Sequence, residues 1–313
     1  MSSDEIIRIS GLTKRFGDLL AVDRVDLGVH KGEILGFLGP NGAGKTTAIS
    51  MICGLLKPSS GKIEINGKRK GAETGRKEIG LCPQEIVVWE TLTCLEQLDF
   101  MAAMYDVPAA LGRRRALELL EKMGLSAQRN RLARTLSGGM QRRLNIVLAL
   151  IHEPEILILD EPQAGLDPQS RVLVRDYVRS LAGKMTVILT THDMEEADKL
   201  SDRIAIIDRG RLLVLDSPER LKASDGEGEV IEAELTRVDD PGLKPLLQEA
   251  ESRGMKLKLT GRVLTCESRN AASDFNRIFE LARTSGVGVE DFRIRRKTLE
   301  DVFIRLTGKG LRE

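Results

Sequence analysis

The stretch "EILGFLGPNGAGKTTAISMI", residues 33 to 52, decides the fold of this chain. A short apolar run at residues 34–38 enters a glycine-rich loop and continues as an apolar helical pattern from Lys45. This order predicts a strand, a tight loop and a helix. The loop matches the pattern G-x-x-x-x-G-K-[ST], in which backbone amides and a lysine surround phosphate groups. The sequence therefore predicts an α/β protein with a nucleotide-binding P-loop.

The residue types of the loop fit this chemistry. The glycines let the backbone curl around the phosphates, Lys45 can reach the β- and γ-phosphates, and the Thr46 hydroxyl can ligate Mg²⁺. A glycine turn without a ligand would not need the Lys-Thr pair. The predicted nucleotide-binding residues of the loop are Gly39, Pro40, Asn41, Gly42, Ala43, Gly44, Lys45, Thr46 and Thr47.

A second motif, "EILILDEP" at residues 155–162, supplies carboxylates at the end of an apolar run. Asp160 is predicted to hold Mg²⁺ through water beside the P-loop. Glu161 is then placed to polarise a water molecule against the γ-phosphate as a general base. Alone, the pair would be read as solvated acids at a strand end, but the preceding P-loop favours the catalytic interpretation.

Composition and charge exclude several classes of protein. The 48 basic and 47 acidic residues give a net charge of +1, so no overall field attracts nucleic acid. The start "MSSDEIIRIS" lacks the features of a signal peptide, and runs such as "IVLALI" at 146–151 are shorter than the roughly 20 residues of a membrane span. The 4 cysteines are widely spaced and are expected to be reduced, buried side chains. A cytoplasmic location is expected.

The rest of the chain predicts a two-domain organisation. Apolar strands alternating with helices indicate a buried, largely parallel sheet, interrupted by a helical subdomain at about residues 90–152. Thr93 with Glu96 fits a capping box at its start. The boundary-like stretch 216–229 separates an ATPase-type domain, 1–222, from a C-terminal domain, 223–313, whose β-α-β-β-α-β order predicts a ferredoxin-like α+β unit. A last helix with a capping box is expected from Thr298.

Over residues 5 to about 222 the sequence resembles the ATP-binding subunit of ABC transporters. The stretch "LSGGM", residues 136–140, is similar to the ABC signature, with Ser137, Gly138 and Gly139 at a helix start. The resemblance implies an ABC ATPase core whose cofactors are ATP and Mg²⁺. It also implies that the signature of one copy closes over the ATP held by the P-loop of another copy. Met140 stands where the commonest signature has glutamine, and Gln163 replaces a small hydroxyl residue before the D-loop.

Four further residues acquire roles through the same resemblance. Gln84 in "LCPQE" is similar to the glutamine loop, which implies contact with Mg²⁺, the attacking water and the membrane partner. Asp167 in "AGLD" matches the D-loop at the subunit junction, and His192 matches the switch histidine at the γ-phosphate. Phe16 in "TKRFGD" matches the aromatic residue that stacks on adenine. Taken singly, these would be an ordinary loop residue, a solvated histidine or a core aromatic; their joint order favours the ABC interpretation.

Within the family, "LSGGMQRRL" and "RRKTLEDVFIRLTG" at 295–308 resemble drug- and polysaccharide-exporting ATPases such as the daunorubicin-resistance type. This implies a Mg²⁺-dependent ATPase that powers export through a separate membrane permease subunit, lies on the inner face of the cell membrane, and works as a homodimer or with a paired ATPase subunit. Residues 87–89, which include Trp89, are either part of a docking groove for the permease or ordinary core. The C-terminal domain is interpreted as a stability or dimerisation appendage in preference to a regulatory ligand-binding domain.

Two rival functions are weighed against export. One is a soluble ABC-type ATPase acting on nucleic acid or ribosomes, but the chain has one cassette, no heptad run and no basic tail. The other is a non-hydrolysing interaction module, against which Glu161 and His192 argue. No nucleic-acid partner is therefore expected.

Overall fold

The computed structural model describes residues 4–69, 77–223, 228–268 and 270–308. The chain divides into two compact units, the first reaching Pro218 and the second spanning Glu219–Gly308. The predicted boundary stretch 216–229 includes residues 224–227, which lie outside the described residues.

The elements of the first unit follow one another in this order: β1 (Glu5–Phe16), β2 (Leu19–His30), β3 (Ile34–Leu38), α1 (Lys45–Cys53), β4 (Ser60–Ile65), β5 (Lys68–Arg69), β6 (Ile79–Cys82), α2 (Cys94–Met104), α3 (Ala109–Lys122), α4 (Gly138–Leu150), β7 (Ile156–Asp160), α5 (Pro168–Arg179), β8 (Thr186–Thr191), α6 (Met194–Leu200), β9 (Arg203–Asp208) and β10 (Arg211–Asp216). The helix α7 (Pro218–Ala223) follows at the boundary.

A six-stranded sheet with the order β10-β9-β3-β8-β7-β6 forms the centre of the first unit. All neighbouring pairs are parallel except β9 with β10. Every residue of β3, β7 and β8 is buried, which explains their largely apolar sequences; the polar exceptions are Asp160 of β7 and three threonines of β8. The predicted parallel sheet is confirmed. Because β3, β7 and β8 run in the same direction, the P-loop, Asp160 and Thr191 emerge at one edge.

A second, antiparallel sheet in the order β2-β1-β4-β5 covers α1. Ile7 and Leu12 of this sheet, Ile49 of α1, and Leu35 and Ile158 of the central sheet belong to one buried cluster. The separate layer that these strands form was not predicted from the sequence. The helix that follows the P-loop is consequently held on two sides.

The helices α2, α3 and α4 form the helical region. The predicted capping box is present, because Thr93 Oγ1 accepts a hydrogen bond from the Glu96 amide and the Glu96 carboxylate accepts one from the Thr93 amide at 2.8 Å. Leu144 and Val147 of α4 share a buried cluster with Leu157 of β7. The helix that follows the signature stretch is therefore anchored on the central sheet.

The C-terminal unit contains β11 (Glu229–Leu235), α8 (Leu243–Ser252), β12 (Leu257–Thr260), β13 (Val263–Ser268), α9 (Ala271–Ser285), β14 (Val289–Arg296) and α10 (Leu299–Thr307). Its antiparallel sheet has the order β12-β13-β11-β14. This is the strand order of a ferredoxin-like α+β fold, as predicted. The predicted capping box at Thr298 is also present, with Asp301 as its acidic member.

Candidate functional site

The P-loop connects β3 to α1 along a path that requires glycine. Gly42 and Gly44 have φ angles of 79° and 98°, which residues with a side chain rarely adopt. A Cβ atom on Gly44 would also lie 2.4 Å from the main-chain oxygen of Ala21. Thr46 and Thr47 follow in the first turn of α1, where Thr46 is exposed. The loop therefore presents backbone groups and the start of a helix without intervening side chains.

Lys45 is the first residue of α1 and is only 5% exposed. Its Nζ atom donates to the main-chain oxygens of Gly39 at 2.7 Å and Pro40 at 3.0 Å. Burial lowers the pKa of this ammonium group, while the nearby carboxylates of Glu161 and Asp160 oppose the shift. The first turn of α1 contains no acidic residue, and no side chain caps Gly44. An uncapped helix start beside a buried cation fits a bound phosphate.

Asp160 ends the buried strand β7 and is 3% exposed. One of its carboxylate oxygens accepts a hydrogen bond from the hydroxyl of Thr190 on β8. The interaction fixes the carboxylate at the edge where the P-loop begins. A buried carboxylate that interacts electrostatically with Lys45 fits the predicted role of Asp160, which is to hold Mg²⁺ through water.

Glu161, Gln84 and His192 meet in one hydrogen-bonded cluster. Gln84 Nε2 donates to Glu161 Oε2 at 3.3 Å, and His192 Nδ1 lies 3.1 Å from Glu161 Oε1. Glu161 is 9% exposed, whereas 54% of the His192 side chain is exposed. The structure thus brings together three predicted catalytic residues that are separated by up to 108 positions, from 84 to 192.

The main chain at Glu161 is held in an unusual conformation. Its φ angle is 49°, a value that costs a non-glycine residue about 1–3 kcal/mol. The amide of Glu161 donates to both the main-chain oxygen of Thr190 at 3.2 Å and its hydroxyl at 2.9 Å. Such strain persists where surrounding contacts over-determine the backbone and is frequent at functional sites.

Arg142 lies behind this cluster, is 2% exposed and was not predicted from the sequence. Its guanidinium donates to main-chain oxygens on both sides of the site, those of Gln84 at 2.8 Å and Glu161 at 2.6 Å among them. The available signal was an arginine pair, Arg142 and Arg143, directly before the mostly apolar stretch "LNIVLALI", residues 144–151. That signal does not reveal the acceptors, because they are carbonyl groups distant in sequence.

The signature residues lie at the start of α4. Ser137 is the N-cap, and its hydroxyl accepts from the Met140 amide at 3.3 Å. Asp167 caps α5 in the same way, and the hydrogen bond from the Ser170 amide at 2.9 Å lowers the pKa of its carboxyl. A Cβ atom on Gly139 would lie 3.5 Å from Asp167 Oδ2, so the two stretches are neighbours. Within the described residues, no hydrogen bond joins Ser137, Gly138 or Gly139 to residues 39–47 of the same chain.

Phe16 ends β1 and is 48% exposed. Lys14 Nζ lies 5.0 Å from the centroid of its ring and donates to the main-chain oxygen of Lys57 at 2.9 Å. One face of the ring thus holds a cation–π contact. Phe16 is a surface aromatic, and the alternative of a core aromatic is wrong.

A surface of exposed apolar side chains follows Gln84 and continues on α2; we call it the Trp89 patch. Its members are Ile86, Val87, Trp89, Phe100 and Met104, each at least 41% exposed. Trp89 and Phe100 contact edge to face, with ring centroids 5.3 Å apart. Trp89 is itself 41% exposed, so it is not an ordinary core residue.

The fold and the loop together define a P-loop nucleotide-binding protein. The family described as "ABC transporter" matches residues 22–164. The "Daunorubicin resistance ATP-binding protein DrrA3" of Streptomyces coeruleorubidus is 38% identical, with 99% of this chain and 98% of that protein covered. The "Linearmycin resistance ATP-binding protein LnrL" of Bacillus subtilis is 35% identical, with 98% and 100% covered.

Solved structures agree with these relatives. A structure described as the ATP binding subunit of an ABC transporter superposes with a TM-score of 0.65 at 30% identity, covering 70% of this chain and 93% of that one. A dimeric ATP-binding cassette bound to ADP and Pi gives a TM-score of 0.62 at 27% identity, covering 67% and 98%. The chain belongs to the family of ABC transporter ATP-binding proteins, in the branch of the daunorubicin-resistance ATP-binding proteins. In the parts of the chain that the structure describes, no helix is long and apolar enough to cross a membrane.

Proposed function

We propose that the chain hydrolyses MgATP to power export through a separate membrane permease. The observation that carries this proposal is the hydrogen-bonded cluster of Gln84, Glu161 and His192 beside the P-loop. A strained, nearly buried carboxylate next to a phosphate cradle is the arrangement expected for activation of an attacking water.

Each residue of the site has a distinct task in the proposed reaction. Lys45 and the amides of residues 39–47 bind the β- and γ-phosphates, and Phe16 stacks on the adenine. Thr46, Asp160 and Gln84 would hold Mg²⁺, which when bound neutralises charge that develops on the phosphate oxygens. Glu161 accepts a proton from the attacking water. His192, hydrogen-bonded to Glu161, contacts the γ-phosphate.

The proposed active form contains two ATPase subunits, either two copies of this chain or this chain with a paired subunit. Ser137 and Gly138 are exposed and Gly139 is partly buried, and within the described residues none of the three forms a hydrogen bond with residues 39–47 of its own chain. Together with Asp167 they are free to close over ATP held by the second subunit. The solved relative that is a dimeric cassette bound to ADP and Pi supports this assembly.

The proposed partner is a membrane permease, with the chain at the cytoplasmic face of the cell membrane. The proposed substrate is a drug, a lipid or a polysaccharide. The two relatives reported above that are named for resistance to daunorubicin and to linearmycin support a drug. The Trp89 patch provides an apolar surface next to Gln84 for the permease. The rival function on nucleic acid or ribosomes receives no support from these names.

The C-terminal domain, residues 223–313, is proposed to serve stability or dimerisation, and the ATPase domain to span residues 1–222. Among the described residues, no group of three or more His, Cys, Asp or Glu side chains is arranged to hold a metal ion. The cysteine of this domain, Cys266, is buried and free.

Replacing Glu161 by glutamine tests the proposed hydrolysis. We expect the E161Q variant to bind ATP normally while kcat falls by about 100-fold or more, because an amide cannot accept the proton. The matched control is E195Q, at an exposed residue of α6, which should hydrolyse at the wild-type rate. Wild-type turnover by E161Q would overturn the proposal.

A second experiment tests docking of the permease. Introducing charge into the Trp89 patch, as in V87E, should abolish export from cells while basal ATPase activity of the purified protein is retained. The control L213E changes an exposed residue of β10 outside the patch. Loss of both transport and basal hydrolysis in V87E would refute the docking role.

A further inference from the structure

Arg142 lies one turn beyond the start of α4 and is almost fully buried. Within the described residues it forms no ion pair. It donates instead to five main-chain oxygens: those of Pro83 at 2.7 Å, Gln84 at 2.8 Å, Asp160 at 2.6 Å, Glu161 at 2.6 Å and Pro162 at 3.3 Å. Burying a charged group is costly unless its donors are satisfied, and here the guanidinium has all three nitrogens engaged.

The acceptors of Arg142 belong to two separate segments. Nη1 donates to the loop that contains Gln84, and Nη2 donates to the turn that contains Glu161. The side chains of Gln84 and Glu161 are hydrogen-bonded to each other in front of this arginine. A single planar group therefore fixes the backbones of both members of the pair. A lysine ammonium lacks the rigid fork that this geometry uses.

Arg142 also holds the strained turn. The three consecutive carbonyls of residues 160–162 all accept from it, and the Glu161 amide on the opposite side donates to Thr190. The positive φ angle at Glu161 is thus maintained by contacts from both sides. Without Arg142, three buried carbonyls would lose their donor and the turn could relax.

The position of Arg142 in the chain connects the site to the signature. Ser137 caps the helix that carries Arg142, five residues earlier. The side chain therefore joins the helix of the signature to the glutamine loop and to the turn of Glu161 through direct hydrogen bonds.

We infer that Arg142 is a positioning residue that sets the distance and orientation of the Gln84–Glu161 pair and ties that pair to the signature helix. The inference rests on the proposed hydrolysis by Glu161. All three guanidinium nitrogens of Arg142 donate to main-chain oxygens, so the residue acts through the backbones of Gln84 and Glu161.

The test uses the purified full chain with ATP and Mg²⁺, and measures kcat, KM, affinity for a fluorescent ATP analogue and melting temperature. We expect R142M to lose about 100-fold in kcat and R142K about 10-fold, since misplacement of about 1 Å can cost that much. Nucleotide affinity should stay within about 3-fold, because Lys45 and the P-loop are untouched. If R142M does not fold, R142K carries the same test with the charge retained.

The matched controls are R203M and R203K. Arg203 is partly buried, donates to the main-chain oxygen of Gly28 at 3.2 Å and pairs with Glu33, but begins β9 at the opposite end of the parallel strands from the P-loop. Its variants should keep the wild-type kcat even where their melting temperature falls.

A double variant separates positioning from a general loss of stability. If Arg142 acts through the Gln84–Glu161 pair, R142K combined with Q84A should lose little more in kcat than the worse single variant. A loss equal to the product of the two single losses would overturn the inference, as would wild-type kcat in R142M or R142K. Normal hydrolysis by E161Q would overturn the proposed function as well as the positioning role. An inactive E161Q together with a fully active R142K would overturn only the positioning role of Arg142.

Discussion

The first unit and the C-terminal unit both pack helices against a sheet, yet they place their polar side chains differently. Among the described residues, the buried polar and charged side chains lie in the first unit, with Ser268 as the exception. In the C-terminal unit the charged groups pair with one another near the surface, as Arg262 does with Glu290 at 2.8 Å and Arg283 with Glu280 at 2.7 Å.

This difference shows where buried charged side chains lower the stability of the fold. Burying Lys45, Arg142 and Glu161 is unfavourable unless a specific partner or function requires it. These groups converge on the carboxyl edge of the central sheet. We therefore propose that the chemistry of the protein is concentrated at this edge, and that the ion pairs of the C-terminal unit contribute to its own fold.

The largest expected effect comes from removing the buried cation of the P-loop. K45M should weaken ATP binding by about 100-fold or more, because the loop amides alone would face the phosphate charge. Equilibrium binding of a fluorescent ATP analogue measures the loss. K184M, at an exposed lysine that donates to Ser180, should bind as the wild type does. ATP binding retained in K45M would mean that this buried lysine is only structural.

The next largest effect is expected from a substitution at the helix start of Ser137, compared with the same substitution at a helix start in the C-terminal unit. S137R should leave ATP binding within about 2-fold and reduce hydrolysis below about 1%, because the added side chain blocks the closed dimer. The matched control is N270R, which removes the N-cap of α9 and should cost only about 1 kcal/mol of stability. ATPase rates measured against protein concentration provide the readout. A monomer with full activity would contradict the dimer.

A smaller effect is expected from Arg295, which donates to Glu232 and to Asp301 in the C-terminal unit. R295M should destabilise this unit by about 1–3 kcal/mol, since Asp301 is left with a partly buried charge. ATPase kcat should not change. R293M, at an exposed arginine paired with Asp291, should cost less than about 0.5 kcal/mol. Urea denaturation measures both; a loss of kcat in R295M would contradict the assignment of chemistry to the first unit.

The ion pair between Arg295 and Asp301 makes the stability of the C-terminal unit depend on pH. Burial disfavours ionisation of Asp301, yet hydrogen bonds from Arg295 and Thr298 hold the pKa of its carboxyl below the ordinary value. The stabilisation is therefore complete above the unfolded pKa of about 3.9 and is lost as the pH falls through the folded value. The stability gap between wild type and R295M should shrink below about pH 4. A gap that stays constant from pH 7 to pH 3 would contradict this.

The smallest effect concerns Glu196 in the first unit. Burial raises the pKa of its carboxyl to about 7, and its Oε1 atom has no hydrogen-bond partner among the described residues. The folded state therefore binds the proton of the Glu196 carboxyl more tightly than the unfolded state does. Ionised Glu196 destabilises the folded state above pH 7, and this destabilisation disappears as the pH falls toward 4.5. The melting temperature of E196Q should exceed that of the wild type by about 2–4 °C at pH 8 and should equal it at pH 5. E195Q, its exposed neighbour, should show no such trend.

Much of the architecture was predictable because its signals are local. The P-loop depends on the spacing of residues 39–47, and the capping boxes at Thr93 and Thr298 depend on residues three positions apart. The strand order of the C-terminal unit follows from its element sequence. The separate antiparallel sheet of β1, β2, β4 and β5 was not predicted, because strand pairing is decided by contacts between distant segments.

The candidate site likewise has features that local sequence motifs predict and features that only tertiary contacts decide. The identities of Lys45, Asp160 and Glu161 followed from motifs in which neighbours in sequence serve one phosphate. The hydrogen bonds that unite Gln84, Glu161 and His192 depend on three different strands ending at one edge. The position of Lys14 over Phe16 likewise depends on how the end of β1 meets residue 57.

By itself the sequence determined the P-loop, the helix boundaries marked by caps, and the residue types that suit phosphate and Mg²⁺, because each depends on neighbours along the chain. Only the tertiary structure decided that Arg142 contacts the backbones of Gln84 and Glu161. It also decided that Glu161 is held at a positive φ angle. The physical reason is that carbonyl groups are the same at every residue, so an arginine that binds them leaves no specific pattern in the sequence; the fold alone selects which five it reaches.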